Sequence, residues 1–457
     1  MTDLTAVTRR LRRWLQWFTP GIGVKRWGLL VAAGIAIISG GVALIIEVEV
    51  LRSVERAIWQ SARWLVSLSG GVVSPLLAGL ALIAGGAVIV FLGLRGTVRS
   101  IAGAFLPKGD PRLVQLLRTT RLRQRGRRVV VIGGGTGLST LLRGLKEYTA
   151  NLTAVVTVFD DGGSSGRLRR EQGMLPPGDI RDCLVALAES EPLMTRLFEY
   201  RFRGGGLDGH AFGNLFIASL AGVTGDIESA VKETSKVLNI RGRVLPSAMD
   251  NVVLTAEFDD GTVVEGESQI PTVRRRIRHL RLKPADVAPL PEVLQAIADA
   301  EVILLGPGSL FTSVIPNLLV RGVADAIRAS RARRIYVCNI MTEAGETDGF
   351  AASDHVRALI AHLGPGLFTH ALVNTQPPQS RVLLARYAAE GARPVPADLE
   401  QVAALGVELI AAPVVSEDDV VRHDAQRVAR TVFGLLDESP LPHSLLAPFR
   451  GAGQHGK

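Results

Sequence analysis

From Arg128 onward, apolar β-branched runs alternate with helical patterns, which restricts the chain to an α/β fold around a mostly parallel, Rossmann-like sheet. The first unit fits in one line, VVVIGGGTGLSTLLRGL, residues 129–145. A strand over 128–133 runs through Gly133, Gly134, Gly135 and Gly137 into a helix. In that helix Leu138, Leu141, Leu142 and Leu145 recur at helical spacing and define one buried face. Further strands are predicted at 152–160, 300–306, 333–339, 370–374 and 407–415, while 251–269 reads as a hairpin turning at Asp259, Asp260 and Gly261. With 457 residues and 47% hydrophobic content, core material is ample. The two cysteines, Cys183 and Cys338, lack the spacing of a zinc site or a disulfide framework and read as reduced core residues.

The segment ahead of this domain follows different rules. Residues 27–46 and 70–94 are stretches of 20 and 25 residues without a charged side chain. Each is long enough to cross a bilayer as a helix, which takes about 20 apolar residues. A signal peptide would have a shorter apolar region, a small-residue cleavage site and no second span behind it. Arg9, Arg10, Arg12, Arg13, Lys25 and Arg26 precede the first stretch, Arg95 and Arg99 follow the second, and the loop between is neutral. The positive-inside bias then predicts a multi-pass protein of the cell (inner) membrane, anchored by two N-terminal helices, with both termini and the large domain cytoplasmic.

A net charge of +9 invites a nucleic-acid partner until the charge is located. Residues 1–26 carry +5 and 95–128 carry +9, 27–94 balances, and 129–457 carries −5. The basic run at 118–128 lies about two dozen residues beyond the second stretch, where anionic lipid is the expected partner and nucleic acid is not. Residues 111–118 read as a short amphipathic helix lying on the membrane, or as an ordinary linker helix.

Open α/β sheets bind ligands beyond the carboxyl ends of their strands. The turn Gly133, Gly134, Gly135, Thr136, Gly137 brings backbone close to a helix N-terminus, where a phosphate is favoured. It is not the G-x-G-x-x-G fingerprint, because Leu138 stands where the third glycine belongs, nor is it a Walker loop. Close strand–helix packing is its other use. The next strand leads into DDGGSSGRLRR, residues 160–170: Asp160 stands 25 residues after Gly135, near the place of a ribose-binding acid, and Asp161, Ser164, Ser165 and Arg167 offer further ligand contacts. Asp179 reads as the N-cap of the following helix. Alternatively, Asp161 and Asp179 together with phosphate oxygens hold Mg²⁺. His210 and Asn214 lie in GHAFGNL without a second histidine or cysteine at ligand spacing, so zinc is excluded and hydrogen bonding remains. Gly306, Gly308 and Ser309 form a second strand-to-helix turn, with Ser309 the expected cap, and Asn339, Thr342 and Asn374 stand at other strand ends. No nucleophile–base–orienter triad is visible.

Six motifs in order, GGGTGLS, DDGGSSGRLR, PPGDIR, HAFGN, GPGSLFTS and N-x-M-T-x-x-G-E-T, resemble the gluconeogenesis factor (YvcK-type) branch of the 2-phospho-L-lactate transferase (CofD-like) superfamily over about residues 128–440. The resemblance implies a Rossmann-like nucleotide-binding fold, a UDP-sugar ligand such as UDP-N-acetylglucosamine, and a role in cell shape and in carbon or cell-envelope metabolism. It also implies that Tyr387 and Arg422 belong to the sugar-nucleotide site. The transferase branch implies the alternative, an Mg²⁺-dependent transfer from a nucleotide-activated phospholactate to a deazaflavin, with the metal at Asp161 and Asp179. Glu343-Ala344 stands where Gln-Pro is more usual, and the first 94 residues depart from the soluble layout of typical members. The expected organisation is a basic tail (1–26), a transmembrane hairpin (27–94), a basic linker (95–128), a nucleotide-binding domain (129–450) and a disordered tail (451–457). A regulatory protein partner is expected, its identity open, as is homo-oligomerisation.

Overall fold

The computed structural model describes residues 25–46, 75–105, 123–189 and 192–436. The chain forms two units, one through Gln115 and one from Leu116. The predicted helix at 111–118 and the tail at 451–457 lie outside the described residues.

The first unit pairs two helices, α1 (Lys25–Ile46) and α2 (Pro75–Phe105). They approach so closely that a Cβ on Gly34 would fall 2.9 Å from the Gly86 carbonyl oxygen, and one on Gly41 2.9 Å from that of Gly79. Large apolar side chains face outward instead, with Leu29, Ile35, Leu80, Val88 and Phe91 all at least half exposed. Small residues inside and large apolar residues outside invert the rule for helices in water and follow the rule for helices in lipid. The expectation of two spans is reduced to one. Gly79–Thr97, 19 residues with a mean hydropathy of 1.9, is long and apolar enough to cross a membrane. The apolar part of the first helix, Gly28–Val42, is shorter; at roughly 1.5 Å per residue it reaches about 22 Å, less than a ~30 Å hydrocarbon core.

The second unit is built on seven parallel strands: β1 (Val129–Gly133), β2 (Leu152–Val156), β3 (Arg243–Pro246), β7 (Val302–Leu305), β8 (Arg333–Val337), β9 (His370–Asn374) and β10 (Glu408–Ala412). Their order is β10-β9-β8-β7-β1-β2-β3. Every residue of β1 and β2 is buried, as expected for parallel strands covered on both faces. The helix α3 (Gly135–Leu145) follows β1 and buries Leu138, Leu141, Leu142 and Leu145 completely. The hairpin turning at Asp259 to Gly261 is present as β4 (Val253–Phe258) and β5 (Val263–Glu265), extended to three antiparallel strands by β6 (Ile277–Lys283).

Some boundaries differ from expectation. β2 stops at Val156, and Val158 and Phe159 are buried in an irregular segment beyond it. The 407–415 run divides between β10 and a separate hairpin of β11 (Val415–Glu417) and β12 (Val421–His423). Cys183 and Cys338 are buried and free.

Candidate functional site

The sheet order reverses between β1 and β7: the chain leaves β1 toward β2 and β3, then returns to β7 and proceeds outward on the other side. Loops that diverge from such a point leave a crevice at the carboxyl edge. Both glycine turns meet there. The Gly306 N–H donates to the Ile132 carbonyl at 2.8 Å, and Asn317 Nδ2 donates to the Gly133 carbonyl at 3.0 Å. A Cβ on Gly137 would lie 2.7 Å from the Pro307 carbonyl oxygen. The glycines therefore pack one turn against the other as well as baring backbone to the crevice.

The crevice is a cavity of about 620 Å³. Of the expected residues, its wall collects Gly134, Gly135, Thr136 and Gly137 from the first turn and Gly308 and Ser309 from the second. Asp160, Asp179, Asn339, Thr342, Tyr387 and Arg422 also line it. Gly133 and Gly306 sit behind this wall, where the two turns touch. Gly135 opens α3 with φ +62°, a left-handed conformation that favours glycine.

Seven expected residues are elsewhere, among them Asn374, which accepts from the Val414 N–H at 3.0 Å. Ser164, His210 and Asn214 form a buried network with Arg181. Ser164 Oγ lies 3.0 Å from His210 Nδ1, Asn214 Nδ2 donates to Ser164 Oγ at 3.1 Å, and Arg181 donates to Asn214 Oδ1 at 3.0 Å. The network fastens α4 (Gly163–Gln172) to the helix Phe212–Thr224. Arg167 donates to the Asp208 carbonyl at 2.5 Å instead of reaching the cavity. Ser165 hydrogen-bonds Asp160. Asp161 turns toward the 266–268 turn and accepts from the Ser268 N–H at 2.9 Å.

Of the Asp161–Asp179 pair expected to hold Mg²⁺ with phosphate oxygens, Asp179 lines the cavity and Asp161 does not. Asp160, not Asp161, lines the cavity with Asp179, and among the described residues no three His, Cys, Asp or Glu side chains are arranged to hold a metal ion. Asp179 also differs from its expected role. It lies within the first turn of α5 (Gly178–Leu187), whose N-cap is Pro177, and accepts the Gly135 N–H at 2.7 Å, so it caps α3 across the crevice. Ser309 does stand at the N-cap of the π-helical turn Leu310–Val314, but its side chain makes no cap; it bonds Glu343 instead.

Four cavity residues carry acids: Asp160, Asp179, Glu267 and Glu343, with Glu346 buried behind them. Burial pushes all five upward, Asp179 and Glu267 to about 7, and repulsion adds to it: Asp161 acts on Asp160, Asp160 on Asp179, Asp160, Asp161 and Asp179 on Glu267, and Glu343 and Glu267 on Glu346. Thr312 donates to Glu346 Oε1 at 3.0 Å and hydrogen-bonds Glu267. His423, also on the wall, is pushed by burial down to about 4 and is neutral. Sequence reasoning missed Glu267 and Glu346. Glu267 follows a hairpin strand and looks like a surface turn residue, while the G-E-T motif containing Glu346 gave no sign that its acid is buried.

Residues 129–415 match the family described as 2-phospho-L-lactate transferase CofD. The gluconeogenesis factor of Halalkalibacterium halodurans is 52% identical over 307 residues, covering 67% of this chain and 95% of that one. That of Bacillus subtilis is 48% identical over 313 residues, covering 68% and 98%. The chain belongs to the CofD-like gluconeogenesis factor family. A crystal structure of a Bacillus halodurans member of the upf0052 family superposes with a TM-score of 0.66 at 51% identity, covering 67% of this chain and 99% of that one. A Nostoc relative, provisionally named a gluconeogenesis factor, is 45% identical over 432 residues, 93% of both chains. That alignment is longer than the whole stretch from Val129 to Lys457, so it runs into the N-terminal segment. The first 94 residues thus depart from the layout of the Halalkalibacterium halodurans and Bacillus subtilis relatives, nearly all of whose length is matched by about two thirds of this chain, and are shared in part by the Nostoc relative.

Proposed function

We propose that this protein is a sugar-nucleotide-binding regulator, held at the cytoplasmic face of the cell membrane by its helical hairpin. The observation that carries the reading is the cavity at the reversal of strand order, where two glycine turns bring bare backbone to a helix N-terminus opposite Tyr387 and Arg422. Its volume of about 620 Å³ falls in the ~300–1,000 Å³ range of ligand pockets. Backbone N–H groups suit the diphosphate, Arg422 supplies a cation, and Tyr387 offers a ring for the base. The names of the relatives support a role in carbon metabolism, and the resemblance supports a link to cell shape and a protein partner still to be identified.

Membrane attachment is supported by the glycine-lined α1–α2 interface and the apolar outer faces of both helices. The full-length chain in detergent, titrated calorimetrically with UDP-N-acetylglucosamine, UDP-glucose, GDP and NAD, should bind the UDP-sugars best. Binding should raise the melting temperature, since a ligand taken only by the folded state stabilises it by mass action. The family match to a transferase defines the competing outcome. Mg²⁺-dependent product formation from a nucleotide-activated phospholactate and a deazaflavin would replace regulation with catalysis.

A further inference from the structure

The cavity has two walls of opposite chemistry. On one side Ile340, Met341 and Val421 join Tyr387 in a small apolar cluster. On the other, Glu267, Thr312 and Glu343 form a polar face continuous with Ser309. Behind that face two carboxyl oxygens, Glu343 Oε2 and Glu346 Oε2, are shielded from solvent and have no hydrogen-bond partner. Buried acceptors left in this way need a proton or a donor to satisfy them. The two acids lie within electrostatic reach of each other, so protonating one relieves the charge on the other. Such a pair carries less charge than two carboxylates, and its hydroxyl can donate as well as accept.

We propose that Glu267, Thr312 and Glu343 form a subsite for a polyhydroxyl ring, with Glu343 the residue that decides which sugar nucleotides are accepted. The inference rests on the sugar-nucleotide reading above and adds the placement of the sugar. A base prefers the apolar, aromatic wall, where it can stack. Phosphates need backbone N–H donors and a cation, which the glycine turns and Arg422 supply. What remains for the carboxyl wall is a neutral group rich in O–H donors, and a hexose ring is that group. Carboxyl–hydroxyl pairing is also selective, because a ligand lacking the matching hydroxyl leaves a buried acid unpaired.

The full-length chain is titrated calorimetrically with UDP-glucose, UDP and UDP-glucuronate, as wild type, Glu343→Ala and Glu267→Ala. For the wild type, UDP-glucose should bind at least tenfold tighter than UDP-glucuronate, whose extra carboxylate meets the acidic wall. In each variant the preference for UDP-glucose over UDP should shrink at least tenfold. An unchanged preference in folded variants, or UDP-glucuronate binding as tightly as UDP-glucose to the wild type, overturns the subsite and leaves the sugar-nucleotide reading standing. The UDP-glucuronate comparison needs no variant and holds even if both substitutions unfold the chain. Failure of the wild type to bind any of the three removes the sugar-nucleotide reading and the subsite together.

Discussion

At the scale of single residues, adjacent glycines in one turn have different jobs. A Cβ on Gly134 would stand 2.3 Å from Thr157 Cγ2 and 2.4 Å from Asp179 Oδ2, whereas one on Gly133 would meet nothing closer than 3.6 Å. Gly134 is extended, with φ −161°, so the obstacle is steric and not conformational. Gly134→Ala should therefore destabilise the domain by about 1–3 kcal/mol, as overpacking does, while Gly133→Ala should be neutral or stabilising by about 0.4–1 kcal/mol. Urea midpoints of the two variants decide it, and equal midpoints would refute the packing account. Asp179 carries a second expectation. Its folded value near 7 lies above the ordinary carboxyl value, so the folded state holds the proton more tightly than the unfolded chain. The associated stability is complete in acid and is lost as pH rises from about 4 to about 7, a change of order 4 kcal/mol. Asp179→Asn cannot titrate and can still accept from Gly135. Its stability should fall less over that interval than the wild type's, measured by urea unfolding at pH 4.5, 6 and 8; parallel curves would contradict the assignment. The acid itself was legible in PPGDIR. That it caps α3 and not its own helix was not, because capping across a crevice depends on how the two helices meet.

At the scale of elements, legibility followed chemical uniformity. Val129 to Ile132 and Val302 to Leu305 stand out because a parallel strand buried on both faces needs apolar residues throughout. β3 was missed because RVLP is only four residues long, bounded by an arginine and a proline. β6 was missed because its alternation is crowded with basic residues on the open face. The helix pair shows the converse: charge-free composition suggested lipid, but only the packing reveals that glycines form the seam. A Cβ on Gly86 would lie 2.8 Å from the Gly34 carbonyl oxygen, so Gly86→Ile should force α1 and α2 apart, while Leu80→Ile on the outer face should not. Limited proteolysis of the full-length chain in membranes should cleave the Gly86→Ile variant faster in this segment. Equal rates would mean that the seam is not what holds the hairpin. If α1 and α2 enter the membrane together as the proposed hairpin, reporters fused at either end should both signal from the cytoplasm; signals from opposite sides would leave Gly79–Thr97 as a single span and end the hairpin reading.

At the scale of the whole molecule, the chain carries +9 while residues 129–457 carry −5, so the proposed anionic ligand enters the acidic part of a basic protein. Long-range attraction toward residues 129–457 cannot explain that, and the cavity itself must lower the cost. Arg422 supplies one cation on the wall, against four acids. The remaining charge is relieved if those acids hold protons when the diphosphate arrives. Burial and neighbouring carboxyls push Asp179 and Glu267 on the wall up to about 7, so part of this population is ionised at pH 7.5 before binding. A diphosphate beside them raises those values further, because a neighbouring negative charge disfavours ionisation. Binding must then draw protons from solution, and affinity must fall as pH rises through 7 to 8, by at most roughly tenfold per pH unit for each proton taken up. UDP-glucose titrated into the full-length chain at pH 7.5 in Tris and in PIPES should show binding enthalpies that differ by the buffers' ionisation enthalpies multiplied by a positive number of protons. Affinity from pH 6 to 9 should decline in parallel. Identical enthalpies in the two buffers, with affinity flat across that range, would show that the ligand enters without protonating the acidic wall, and that fixed backbone dipoles and Arg422 suffice to hold it.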